Sequence, residues 1–182
     1  MDALEAKTKP NPTLNTSTSS LKTQICLKFL AIVSSLSALC IIFTSKQTIM
    51  LYGLQIDAKY SDDSSFKFLA AANVIVCVFS VVSLFVAVIL ARTCSDSNNY
   101  FYMFLHDLVV MLVMISGCAA ASAIGKVSQY GNTHTGWLPI CDHFVRFCHR
   151  STVAVILSYF SFLVYLLLTI FSANNLKNFI PV

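Results

Sequence analysis

Charge is scarce in this chain: 8 Asp and Glu and 12 Lys and Arg among 182 residues, 11% of the total against 57% hydrophobic. So few charges cannot cover the surface of an ordinary water-exposed domain. The shortage is also concentrated. No Asp, Glu, Lys or Arg occurs from Phe29 to Ser45, from Phe68 to Ala91, or from Ser151 to Leu176, and Ser97 to Gly125 holds only Asp107. Glycine and proline are few as well, 5 and 4, and no proline falls inside these runs. That argues against the interrupted helices that build substrate sites at the bilayer midplane. The runs are continuously apolar rather than alternating, which excludes a membrane β-barrel. No repeat of solenoid period is present. No nucleophile, base or ligand set lies at matched depth, so intramembrane enzyme chemistry is not expected.

What is present is length. A helix that crosses hydrocarbon needs about 20 apolar residues. The sequence predicts four such helices, about 25–45, 68–91, 101–125 and 152–173, and hence an all-α membrane protein built as a four-helix bundle. Lys28 in the first helix can snorkel along its stem. A cleaved signal peptide is the competing reading of this segment. Its apolar run is long for that, and 24 mostly polar residues precede it. Residues 1–24, rich in Ser and Thr, are expected to form a disordered tail, and residues 174–182 a short second tail.

Four crossings put both termini on one side. Lys and Arg divide six against six between the two faces, so the positive-inside rule does not choose. The third connection carries Cys141 and Cys148, and disulfides favour the outer side of a membrane. Cytoplasmic termini are therefore expected, although Asn15-Thr16-Ser17 is a sequon usable only outside. Cys94, next to the second helix at the inner face, is a candidate for palmitoylation.

The stretch "GWLPICDHFVRFCHR" permits three readings. Cys141, His143, Cys148 and His149, with His134, could ligate zinc, but the spacing is looser than the usual CxxC pairs. A redox pair would also favour a tight CxxC. A single disulfide closing an outer loop is favoured, with no metal or other cofactor expected. Trp137 suits a headgroup-level anchor or a partner contact.

Asp107 is the acid deepest in a predicted span, and an intramembrane acid needs a partner or a function. The first and third helices cross in the same direction. Lys28 and Asp107 then sit on the same side, within about 5 Å of depth at 1.5 Å per residue. A Lys28–Asp107 pair is predicted; separate snorkelling is the competing arrangement. His106 points about 100° away and suits headgroups or a neighbour better than a relay. Further along, Gly117, Ala121 and Gly125 form a small-residue stripe that lets a helix approach closely, within one bundle or between protomers.

The third helix with its Asp, then "SAIGKVSQYGNTHTGWLPICDHFVRFCHR", then an apolar fourth helix, resembles the Casparian strip membrane domain protein-like family of plants. "TSKQT", "AKYSDDSSFKFLAAANVIVCVFS" and "FLHDLVVML" resemble its subfamily 1. The Gly131-Asn132 pair followed by Trp137 and the two cysteines is the more specific part. The resemblance implies a plasma-membrane protein related to the MARVEL architecture, with cytoplasmic termini. It also implies an Arg–Asp pair between the first and third helices. Asp107 matches the acid; Lys28 stands where the arginine is expected, keeping the charge but losing the bidentate fork. The best-known family members self-associate into immobile membrane platforms that organise local cell-wall modification. The implied partners are other copies of the chain, related members, the bilayer and extracellular wall-modifying proteins, with no nucleic acid. The first outer loop lacks the motif of the best-known members. A small transporter or channel subunit using Asp107 as an ion or proton site is the alternative function.

Overall fold

The structure, a computed structural model, describes residues 12–51, 54–92 and 97–179. Four long helices dominate it: α1 Pro12–Thr44, α2 Ser64–Arg92, α3 Ser97–Tyr130 and α4 Val145–Phe179. All four contain stretches long and apolar enough to cross a membrane: Lys22–Thr44, Ser64–Val86, Phe101–Tyr130 and Val145–Asn174. Each helix packs on its two neighbours in the ring α1–α2–α3–α4. The core is a column of small and medium side chains, including Ala31, Ala72, Met114, Ala121, Ala154 and Leu168. Large apolar side chains such as Phe29, Phe85 and Ile156 point outward, the inverse of a soluble bundle. Lipid offers no hydrophobic penalty to a large side chain, and close packing between helices requires small ones.

Helix α1 starts at Pro12, so the tail expected over 1–24 is helical from residue 12 on. Proline is favoured at a first helical position, and the apolar span downstream propagates the helix back to it. Residues 1–11, and Cys94 with its palmitoylation reading, lie outside the described residues. Helix α2 begins earlier than expected because Asp63 caps it, its Oδ1 accepting from Ser65 N at 2.6 Å. Helix α4 begins seven residues before the expected 152 and so contains Cys148.

One element departs from the all-α expectation. After α1, Lys46–Leu51 (β1) pairs antiparallel with Leu54–Lys59 (β2), in register Ile49 to Ile56 and Leu51 to Leu54. A short 3-10 turn, Tyr60–Asp62, leads into α2. The signal was in the sequence: two runs containing Thr48, Ile49 and Ile56 stand two residues apart, with Gly53 between them.

Candidate functional site

The bundle interior holds the first candidate site. Lys28 on α1 and Asp107 on α3 are 1% and 2% exposed. Lys28 Nζ donates to Asp107 Oδ1 at 3.2 Å across the diagonal of the ring. It also donates to the Ser83 hydroxyl on α2. One ammonium thus joins three helices, and the lysine stem fills space between them. His106 does not turn away from this cluster: its Nδ1 is 3.3 Å from Asp107 Oδ1. Its ring lies 5.4 Å from that of Phe79 on α2. Rotation by one helical residue still leaves side chains long enough to meet at their tips.

A second diagonal connection was not anticipated. Asn73 on α2 is fully buried and donates from Nδ2 to Ser158 Oγ on α4 at 2.9 Å. Ser35 on α1 donates to Asn73 Oδ1 at 2.9 Å. Between this layer and the lysine, the hydroxyls of Ser80 and Tyr165 are bonded. The available signal was an amide side chain inside an uncharged run, since buried amides in lipid bind other helices.

The small-residue stripe divides. A Cβ built on Gly117 would stand 3.1 Å from Ala72 Cβ, so α2 rests directly on this glycine. Ala121 is fully buried in the same core. Gly125 makes no such contact within the chain: a Cβ there meets nothing within 4 Å. Open space lies beside it, and no neighbour within the chain requires its smallness.

The second candidate site is the platform at the opposite end. Helix α3 ends on Gly131, whose φ of +70° suits a glycine after a helix, and whose amide donates to Val127 O at 2.8 Å. A Cβ here would also meet Trp137 O at 2.6 Å. Asn132 and Trp137 exchange both backbone hydrogen bonds, at 2.9 and 3.0 Å. Asn132 Oδ1 accepts from His134 N at 3.1 Å, an Asx turn. Gly131, Asn132 and Trp137 therefore form one closed turn, with the Trp137 side chain exposed.

Cys141 and Cys148 are joined by a disulfide, Cα to Cα 5.7 Å. The Ile140 and Cys141 amides both donate to Ser128 O on α3, so the bridge fastens the end of α3 to the start of α4. Among the described residues no three His, Cys, Asp or Glu come together as a metal site. The hairpin is tied to the same platform. Gln47 Oε1 on β1 accepts from Phe147 N at 2.9 Å, and Arg150 donates to Thr44 O at 3.0 Å. Phe66 and Phe147 meet edge to face, 6.2 Å between centroids.

Residues 17–164 match the family model described as the Casparian strip membrane protein domain. The chain is 46% identical over 175 residues to CASP-like protein 1F1 of Vitis vinifera, covering 96% of this chain and 85% of that one. It is 45% identical over 175 residues to CASP-like protein 1F2 of Populus trichocarpa, covering 96% and 97%. It is 47% identical over 152 residues to CASP-like protein 1F1 of Ricinus communis, covering 84% and 85%. No solved structure matches.

Proposed function

The chain belongs to the Casparian strip membrane protein domain family, and from that premise we propose that it is a non-catalytic scaffold of the plant plasma membrane. It self-associates laterally with copies of itself and with related members, and it organises membrane domains or local cell-wall modification. Its termini are cytoplasmic, and the hairpin and disulfide loop face the wall, where wall-modifying proteins meet them. The disulfide supports that orientation, because such bonds persist on the oxidising side.

The observation that carries this reading is the enclosure of the intramembrane charge. Asp107 is 2% exposed, and its Oδ1 already faces Lys28 and His106. A transported ion or proton needs a carboxylate that water or the substrate can reach. An acid committed to a lysine that also binds a serine on a third helix serves instead to hold a bundle in one shape. A rigid bundle with fixed outer faces is what lateral assembly requires.

Photobleaching of a fluorescently tagged copy in plant plasma membrane tests the proposal. Slow recovery in patches is expected. Fast, uniform recovery would count against the scaffold, and proton or cation flux lost on Asp107→Asn substitution would establish the transporter instead.

A further inference from the structure

Between the outer halves of α3 and α4, beside the disulfide, lies a cavity of about 520 Å³. That is the size of pockets that bind small organic molecules, which run from about 300 to 1,000 Å³. We propose that it binds an anionic amphiphile from the adjoining leaflet, tail inward and acidic head at Lys126.

Three observations carry this. The first is position. On α3 the cavity runs from Gln129, one residue before the helix end, down to Ala121. From Lys126, where the head sits, down to Ala121 is five residues, about 7.5 Å at 1.5 Å each, about half of one leaflet's hydrocarbon depth, itself half of about 30 Å. The second is its mouth. Thr152 and Ile156 line it and are exposed, and both lie inside the spanning segment of α4. Part of the opening therefore lies against acyl chains, while Lys126, Gln129 and His149, also exposed in the lining, stand nearer the helix ends. The third is the distribution of chemistry. Lys126, an exposed lining residue, stands one turn above Ser122, whose hydroxyl is 3.2 Å from that of Tyr159. Among the described residues lining the cavity there is no Asp or Glu. A cation over hydroxyls and an apolar wall complements an acidic head on an apolar tail. An uncharged occupant would leave Lys126 with no counter-charge in the cavity.

Gly125 supplies the means of testing it. Because an added Cβ there meets nothing within 4 Å, a larger side chain can enter the cavity without displacing a neighbour. It also raises helix propensity, by about 1 kcal/mol for alanine. Gly125→Leu thus plugs the cavity in a chain that still folds.

The experiment uses the full-length protein in phosphatidylcholine nanodiscs doped with one of two diazirine probes, a phosphatidylglycerol or a fatty acid, with adducts mapped by mass spectrometry. Saturable labelling of residues 121–129 and 152–159 is expected. It should fall about tenfold in Gly125→Leu, the effect of about 1.4 kcal/mol. Lys126→Gln should lower the preference for the acidic probes over a diazirine phosphatidylcholine. Leu112→Phe, on an exposed face of α3 away from the cavity, should label as the wild type does. Labelling by the phosphatidylglycerol identifies a bilayer lipid as the source; labelling by the fatty acid alone identifies a free acid. Equal labelling of wild type and Gly125→Leu, or equal labelling by the phosphatidylcholine probe, would each overturn the proposal. None of these outcomes depends on whether the protein forms platforms.

Discussion

Lys28–Asp107 and Lys59–Asp57 are the same chemical pair at nearly the same separation, 3.2 and 3.1 Å. The side chains of the first are 1% and 3% exposed; those of the second are 45% and 38%. The first lies inside the bundle, with Ser83 as its third member. The second lies on the hairpin, where Thr48 also donates to Asp57 at 2.7 Å. Distance alone therefore says little about an ion pair. In water, each partner of the exposed pair has solvent to fall back on when the other is lost, so the pair contributes little. In the bundle no such alternative exists, and loss of one partner strands the other.

The largest effect should come from separating the buried pair. Asp107→Ala leaves Lys28 uncompensated and should destabilise the bundle by about 3–5 kcal/mol, read as a lower thermal midpoint in detergent or a shift in denaturant unfolding. The double substitution Lys28→Met with Asp107→Leu should recover most of that loss, because a well-packed apolar pair can replace a buried ionic one. If the single and double variants were equally unstable, the cost would lie in packing rather than in stranded charge. Asp57→Ala should leave the same midpoint in place.

Next in size is the bridge. Cys148→Ser should weaken the platform by about 2–3 kcal/mol in the chain-entropy account of a short loop. Faster amide exchange over residues 132–148 would show it, and a reductant should reproduce it in the wild type. Asn73→Val breaks the second diagonal and leaves Ser35 and Ser158 without their amide. Interhelical hydrogen bonds in lipid average about 0.6 kcal/mol and reach about 1.7, so a loss near 1 kcal/mol is expected in the same unfolding assay.

The smallest effect concerns pH. Hydrogen bonds from Thr48 and Lys59 hold the Asp57 carboxyl below its ordinary value. A lowered folded-state value means that its contribution is present above the ordinary carboxylate range and is lost as pH falls through the folded-state value. Protection of the hairpin amides, taken relative to their intrinsic exchange rate at each pH, should fall slightly at that acidic end, and Asp57→Asn should abolish the change. A pH effect that survived Asp57→Asn would assign it to another group.

How far the sequence could be read follows from what each feature depends on. Uncharged runs are local, so Phe68–Ala91 and Ser151–Leu176 announced α2 and α4 directly. The depth argument that brought Lys28 and Asp107 to one level needed only rise per residue and crossing direction. The hairpin is only faintly legible, because two strands of six residues carry too short a pattern to stand out between two apolar spans. The role of Asn73 was hidden, because its partners, Ser35 and Ser158, stand 38 and 85 residues away. The stripe of Gly117, Ala121 and Gly125 looked uniform because periodicity assigns a face and not a neighbour. Only the three-dimensional surroundings separate Gly117, which rests on Ala72 of α2, from Gly125, which lines a cavity.

By itself, then, the sequence determined four long apolar helices, a charge needing a partner, and a cysteine pair ahead of the fourth apolar run, because hydrocarbon length, desolvation and redox chemistry act on segments. Tertiary structure alone decided which hydroxyls join the lysine, which diagonal Asn73 spans, and where a cavity opens. Those outcomes depend on how far apart packed helix axes stand, and no single segment contains that distance.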